Sequence, residues 1–536
     1  MSDKIRKFLT ALTCLLPCAC MVGPDFESPK ADLPESWSVS DESRLLTDDD
    51  SPAKLSEEEL SHWWTVFGDP VLVSLVERAF EGNLDIADAQ AKIAQARSTL
   101  GVTQSSFFPS LDSKASFSEG GKTMTSEGQT FGLGAETSWE IDVFGGTRRG
   151  VESALASYNE SLATKCATRL SVAAEVAQNY FKYRAIQQQI IIVNNNLQTQ
   201  IKTSNITKRR KFSGMDSKLD IVRAEAQVES TRAQIPQLES QLALMRHSLE
   251  LLLGLQSGAL KKELEKPVDL PELERFIPLG VPAKLVRRRP DIIAAEYAMH
   301  AATAEVGVAT ADFYPKFNIT GNISYQAPNV GDIVTSKYGS WSVGPNVSWN
   351  IFQGGRIYFN VELQKAVAQA SKISWQLKVL TALKEVEDAI VSAAKERERI
   401  VYLNSVVKNS KEAYELSFRS YTEGVTEFLD LLDSQRSMLE AQQNQLLSRQ
   451  LFINHIVSLY KSVGGGWTAK DLEDAGIRDS FLENYLDAFF TRDNSANDFA
   501  NPGGKNAEGE DSANDAGGEN AGNNTGGESG SEGANS

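Results

Sequence analysis

Asp430 and Asp433 stand three residues apart in a stretch free of proline and glycine, so on a helix both carboxylates share one face. Repeated around a symmetry axis, that face makes stacked carboxylate rings. Such rings attract cations and repel one another across a constriction. A plainer reading competes, because acidic side chains in the first turns of a helix complement its dipole. Asp220 holds the corresponding place in an earlier segment and is open to the same two readings. Paired carboxylates also serve acid–base catalysis, but no nucleophile or substrate pocket accompanies these. The histidines (His62, His247, His300, His455) are scattered, with neither zinc-ligand nor triad spacing. The pattern predicts a chain that is not an enzyme and needs no cofactor or metal.

The elements that position these carboxylates are unusually long. Arg148 to Phe212 contains no proline, and ~65 helical residues extend roughly 100 Å. Arg356 to Glu423 is similar. Apolar residues such as Leu155, Leu162, Leu170, Val176, Tyr180 and Tyr183 recur at three- and four-residue steps or their sums. Helices of this length exceed a globular domain and imply a coiled coil or a helical tube; the patterning leaves a solid stalk and a hollow tube both open. The chain turns at Phe212-Ser213-Gly214-Met215-Asp216 and at Tyr421-Thr422-Glu423-Gly424-Val425. Return helices run from Lys218 to Leu253 and from Glu427 to Val463, closed by Gly254 and by Gly464-Gly465-Gly466. Pro236 inside the first return predicts a kink.

Four segments alternate with period two. Phe131, Leu133, Ala135, Trp139 and Ile141 alternate with Thr130, Glu136, Ser138 and Glu140. Phe317, Ile319, Ile323 and Tyr325 alternate with Asn318, Thr320, Asn322 and Ser324. Trp341, Val343, Val347 and Trp349 alternate with Ser342, Asn346 and Ser348, and the stretch from Leu111 to Phe117 does so more weakly. Each segment predicts a strand with one apolar and one polar face. A soluble antiparallel sheet has that pattern too. The length of each, about ten residues, and the export signal described below favour a sheet that spans a bilayer. Trp139, Trp341, Trp349 and Tyr325 suit an aromatic girdle. Backbone in lipid must be fully paired, and four strands cannot close, so a spanning barrel requires several chains. Pro345, on the apolar face, predicts a bulge at Gly344-Pro345.

The chain contains itself twice. Ser138-Trp139-Glu140-Ile141 through Gly145-Gly146 resembles Ser348-Trp349-Asn350-Ile351 through Gly354-Gly355. Trp139 and Trp349 stand 210 positions apart, as do Gly214 and Gly424, and Asp220 and Asp430. Phe108-Pro109 and Tyr314-Pro315 stand 206 apart. A unit of about 200 residues is a tandem half rather than a solenoid repeat. Each half predicts one order: a helix (Asn83 to Ser106; Asp291 to Asp312), two strands, a very long helix, a tip and a return.

Composition bounds the rest. Of 536 residues, 41% are hydrophobic, enough for a core, yet no apolar run reaches the ~18–20 residues of a membrane-spanning helix. The net charge is −17, and the stretch from Asp493 to Ser536 holds nine acidic residues against Lys505 alone. Basic runs are short (Lys208 to Lys211; Arg287 to Arg289), which argues against a nucleic-acid partner. Lys4, Arg6 and Lys7 precede an apolar stretch from Phe8 to Leu16 and then Pro17-Cys18-Ala19-Cys20, an export signal. Ala19 before Cys20 resembles a bacterial lipoprotein cleavage site, with lipid on Cys20; ordinary signal cleavage is the alternative. Pro17 departs from the usual lipoprotein pattern.

Taken together, several motifs resemble the TolC-like outer-membrane efflux family in its OprM-type lipoprotein branch. They are Cys20 to Phe26, Trp63-Trp64 with Phe67-Gly68-Asp69-Pro70, Gly280-Val281-Pro282 with Arg287-Arg288-Arg289-Pro290-Asp291, and Val306-Gly307-Val308-Ala309 with Phe313-Tyr314-Pro315. Trp349 to Arg356, Leu429 to Arg436 and Leu459 to Trp467 complete the set. The resemblance implies a membrane α+β fold. A homotrimer shares a 12-strand outer-membrane β-barrel, four strands per chain, continued by a 12-helix periplasmic α-barrel, with two tandem repeats per chain. It implies segments at 1–19 (signal peptide), 20–62 (lipid-anchored, extended), 63–281 and 282–491 (the repeats), and 492–536, an acidic tail whose composition predicts disorder. By the same resemblance the chain is the passive exit duct of a tripartite efflux pump. Its partners would be a periplasmic adaptor, an inner-membrane RND-type pump and outer-membrane lipid. Gly214 and Gly424 would meet the adaptor, while Asp430, Asp433, Tyr421 and, more weakly, Asp220 would form the periplasmic aperture. The family's closing network can use a basic residue near Thr426, and none stands there. A protein-secretion duct and a non-conducting coiled-coil spacer are the rival readings.

Overall fold

A computed structural model describes residues 21–30, 33–34, 37–39, 57–122, 125–212, 217–273, 288–333, 335, 337 and 339–472. The expectations for the signal peptide, Cys20, Gly214 and the acidic tail lie outside these residues.

Helices α1 (Glu57–Ser61), α2 (Pro70–Gly82) and α3 (Leu84–Ser105) precede strands β1 (Ser110–Lys122) and β2 (Thr125–Ile141). The long helix α4 (Gly146–Phe212) and its return α5 (Lys218–Leu252) follow. The second half repeats the order with α6 (Pro290–Ala311), β3 (Lys316–Ala327), β4 (Gly339–Ser348), α7 (Arg356–Glu423) and α8 (Phe428–Ser462). Local chemistry sets the boundaries. Asp69 caps α2 by accepting from Val71 N at 2.9 Å, with Pro70 in the first turn. Asn83 caps α3 and ties its amide to Leu252 O at 2.8 Å. α5 runs unbroken through Pro236.

The main core gathers where the halves meet midway along the long helices. Trp63, Trp64, Leu72, Leu75, Tyr180, Phe181, Leu249 and Val457 are all buried there. Arg289, from the Arg-Pro-Asp motif, clamps this region. It reaches Asp291 at 3.0 and 2.8 Å, Glu385 at 2.6 Å and Ser462 O at 3.1 Å, so one guanidinium joins the start of α6 to α7 and α8. Burial alone would raise the Asp291 carboxyl; the bonds and charge of Arg289 outweigh it and hold the group below the ordinary carboxylate range.

The sheet has order β1-β2-β3-β4, antiparallel throughout. Apart from a shift between Gly120 and Lys122, its register sorts face residues by parity. Ala135, Ile323 and Trp341 lie in one cross-strand row, Trp139, Ile319 and Pro345 in another, and Ile141, Phe317 and Val347 in a third. The opposite face carries rows such as Asp112, Glu136, Asn322 and Ser342, or Ser110, Ser138, Thr320 and Gly344. One face is thus apolar and outwardly exposed, with Trp341 77% and Val343 67% accessible. The other carries polar side chains and glycine, among them the charged Asp112, Lys114, Glu136 and Glu140. The bulge expected at Gly344-Pro345 is absent: Thr320 opposes Gly344 and Ile319 opposes Pro345 without a break. Proline removes only the one ladder bond its N–H would donate, and the β3–β4 register passes Pro345 intact.

Trp139 and Trp349 make the same bond in the two halves. Trp139 Nε1 donates to Phe107 O at 2.9 Å, and Trp349 Nε1 donates to Phe313 O at 3.0 Å. Each staples the helix-proximal end of a strand to the end of the preceding helix. Trp341 and Tyr325 lie nearer the far end, opposite Ile323 and Gly339.

An extended strap, residues 21–30, crosses the helix–sheet junction. Val22 N donates to Phe144 O at 3.1 Å. Arg149, almost wholly buried, donates to Val22 O at 3.3 Å, Asp25 at 2.5 Å and Glu152 at 2.7 Å. Glu152 also meets His300 Nε2 at 2.9 Å, and His300 stacks on Phe26 at 4.3 Å. Gly23, at φ 94°, passes so close to Gly307 that a Cβ on Gly23 would lie 2.4 Å from the Gly307 Cα.

Candidate functional site at the hairpin tips

α4 carries polar side chains through its last turns, and they are buried. Asn196, Gln200, Thr203 and Thr207 recur at steps of four, three and four, which keeps them on one face. α8 crosses that face antiparallel. Asn196 Nδ2 donates to Gln442 Oε1 at 3.0 Å, and Gln435 Nε2 donates to Thr203 Oγ1 at 2.9 Å.

At the lower end of this seam Tyr421, in the last turn of α7, is fully buried. Its hydroxyl lies 2.7 Å from Thr207 Oγ1. Thr207 already donates to Thr203 O at 3.1 Å, so the tyrosine is the natural donor. The Arg210 guanidinium sits 4.3 Å above the Tyr421 ring and donates to Tyr421 O as well. Phe428 meets the ring edge at 6.0 Å, and Ala224, Leu431 and Leu432 complete a small apolar cluster. Gly424 ends α7 at φ 83°, with its N–H on Tyr421 O and Val425 N on Ser420 O, the double bond pattern of a left-handed helix cap. One hairpin's end is thereby latched to the other by a hydrogen bond, a cation over a ring and an apolar contact.

The sequence-predicted carboxylates divide. Asp430 and Asp433 are exposed on α8, facing away from the buried Leu431, Leu432 and Gln435, and neither is paired among the described residues. Asp220 is engaged elsewhere: Ser217 N donates to it at 3.1 Å while Asp220 N donates to Ser217 Oγ at 3.2 Å, a reciprocal cap of α5. The structure brings Tyr421 and Gly424 together and leaves Asp220 in a separate, capping role. Arg210, Thr207 and Gln435 were not singled out from sequence as aperture residues. Arg210 lies within the Lys208–Lys211 run, which also complements the dipole at the end of α4. Phe212, Leu219, Val425 and Leu429 present exposed apolar side chains around the tips.

Comparison with known proteins gives a consistent result. The family model described as outer membrane efflux protein matches twice, at residues 75–255 and 281–465, once per half. Nodulation protein T of Rhizobium leguminosarum bv. viciae is 33% identical over 468 residues, covering 86% of this chain and 94% of that protein. The probable efflux pump outer membrane protein TtgC of Pseudomonas putida is 27% identical, covering 85% and 95%. The solved outer-membrane channel OprN superposes with a TM-score of 0.76 at 33% identity, covering 84% of this chain and all of that one.

Proposed function

The chain belongs to the outer membrane efflux protein family and is an outer-membrane efflux channel, and from that premise we propose that three copies close one continuous duct whose inner mouth is held by the Tyr421 latch. The single observation carrying this reading is the sheet: four strands with every apolar side chain on one face and two open edges. In lipid those edges must be paired, and another copy of the same chain offers the complement.

The tandem halves indicate how copies join. Within one chain β2 pairs with β3, and α6 packs along both α4 and α7. α3 is the counterpart of α6, yet it packs extensively on α4 alone. The contact between halves is therefore made once internally and left unmade at the flanks, where β1 and α3 await β4 and α7 of a neighbour. α7 exposes Phe359, Leu363, Leu377 and Leu380, a stripe that such a neighbour covers. The number three rests on the family resemblance.

In this reading the barrel is the outer-membrane exit and the helices are the periplasmic tube. Cys20 carries the lipid, a short step before the strap fixed at the sheet base. Trp139 and Trp349 mark the inner membrane boundary, Trp341 and Tyr325 the outer. The apolar tips around Gly214 and Gly424 receive a periplasmic adaptor, behind which an inner-membrane RND-type pump delivers small-molecule cargo and supplies the energy. Asp430 and Asp433 face the mouth, where three copies give two acidic rings.

Ion current through the purified protein in planar bilayers tests the duct. Cation-selective current is expected, and Asp430→Asn with Asp433→Asn should lower the cation preference. Current of unchanged selectivity removes the rings; no current at all favours a spacer. The lipid face has its own test. Val343→Arg places a charge on the outer face of each copy, at about 2–4 kcal/mol apiece near mid-bilayer, and should abolish heat-resistant trimers on gels. Ser342→Arg, one residue away on the inner face, should leave them intact and change conductance.

A further inference from the structure

We infer that Gln200 is a reserved hydrogen-bond partner for a displaced position of α8, so that the seam between α4 and α8 holds two alternative pairings. The inference rests on the reading of an openable duct and adds how its mouth is regulated.

Gln200 is 3% exposed, and neither its Nε2 nor its Oε1 has a partner among the described residues. The side chains on either side of it along the same face are satisfied: Asn196 by Gln442 and Thr203 by Gln435. Those two pairs advance seven residues along each helix, a matched antiparallel register. By that register Gln200 faces Met438, which is itself buried and can satisfy neither amide atom. A methionine or leucine at position 200 would fill the space without the desolvation cost of two unbonded polar atoms. The amide is a poor choice for the arrangement described and a good one for another.

The partner it lacks is close. Gln435 pairs with Thr203, three residues from Gln200 along α4, about 4.5 Å along the axis. Displacing α8 by about one helical turn sets Gln435 opposite Gln200, where two primary amides can pair reciprocally. Turn-by-turn steps of one packed element past another are an established form of two-state switching. The surrounding seam permits it. Its α4–α8 bonds run between amides and hydroxyls, which exchange partners readily, and the stronger latch at the lower end, Tyr421 with Thr207 and Arg210, joins α4 to α7 rather than to α8.

The test uses the full-length channel in planar bilayers. Gln200→Met, close to isosteric, should cut the open fraction roughly tenfold while leaving the thermal midpoint unchanged or higher. Gln200→Leu should do the same and serves if the methionine variant assembles poorly. Thr203→Val, which removes the α4 partner of Gln435 in the described arrangement and leaves its bond to Tyr414 on α7, should act oppositely and raise the open fraction. Gln435→Met should lower the open fraction less in the Gln200→Met background than in the wild type, a coupling that exists only if the two amides meet when the channel is open. An unchanged or increased open fraction in both position-200 variants overturns the inference, as does strict independence of positions 200 and 435. A wild-type protein that never conducts overturns the duct reading itself, and is distinguishable because every variant would then be equally silent.

Discussion

Tyr421→Ala produces a channel that is open most of the time. The substitution removes a fully buried ring, the hydroxyl on Thr207, the surface under Arg210 and the edge contact with Phe428 in one step. Truncating a buried aromatic costs about 3–5 kcal/mol. If the mouth relaxes when the latch fails, even 3 kcal/mol moves the closed-to-open ratio roughly a hundredfold. Single-channel recording reads this directly, as a change from rare openings to sustained current. The partial variants should rank below it. Thr207→Val deletes one hydrogen bond, worth about 1 kcal/mol. Arg210→Met deletes a cation over a ring and a bond to a carbonyl, somewhat more. A Tyr421→Ala channel that stays shut, or a Thr207→Val effect larger than that of Tyr421→Ala, removes the latch from the mechanism.

The second large effect is expected at the strap. Arg149→Met takes away a buried guanidinium that holds Val22 O, Asp25 and Glu152 together. Removing one partner of a buried charged network typically costs about 3–5 kcal/mol. The strap should become accessible to protease and the thermal midpoint should drop. Gly307→Ala should reproduce the phenotype from the other side, because its new Cβ would lie 2.7 Å from Arg149 Cγ. Asp25→Asn is the contrasting variant. That carboxylate is 87% exposed, so solvent screens it, and its loss should cost only about 0–1 kcal/mol. Equal losses for Arg149→Met and Asp25→Asn would show that the strap is held by something other than Arg149.

How far the sequence revealed this molecule follows from the range of its forces. The faces of the sheet were legible because alternation at period two fixes which side chains share a side, and the register kept that parity across the four strands up to the shift between Gly120 and Lys122. The long helices were legible from an absence of breakers, and the tandem halves from Trp139 and Trp349, which prove to make one bond twice. The strap was not legible. Met21 to Lys30 has no periodicity, and its fixings, Arg149 and Gly307, are remote in the chain and ordinary in their own helices. Arg210 escaped for the same reason: it lies on the first hairpin, far in the chain from the Tyr421 ring it covers. The bulge expected at Pro345 overstated what one missing N–H does to a ladder held in register on both sides of it. Asp220 and Asp430 look alike in sequence, and only the reciprocal cap with Ser217 separates them.

The inner face of the sheet bears on what such a conduit can refuse. Rows of serine, threonine, asparagine and glycine, with Asp112, Lys114, Glu136 and Glu140 among them, offer no greasy footholds. Its Lys114–Glu136 pair, 3.0 Å apart, cancels its own charge. In the proposed barrel an apolar solute would meet a wall that wets easily and gives it little to hold, while Asp112 and Glu140, which Lys114 does not balance, would favour cations. On that reading apolar cargoes would have to be sorted upstream, and the last leg of the journey would discriminate by charge alone.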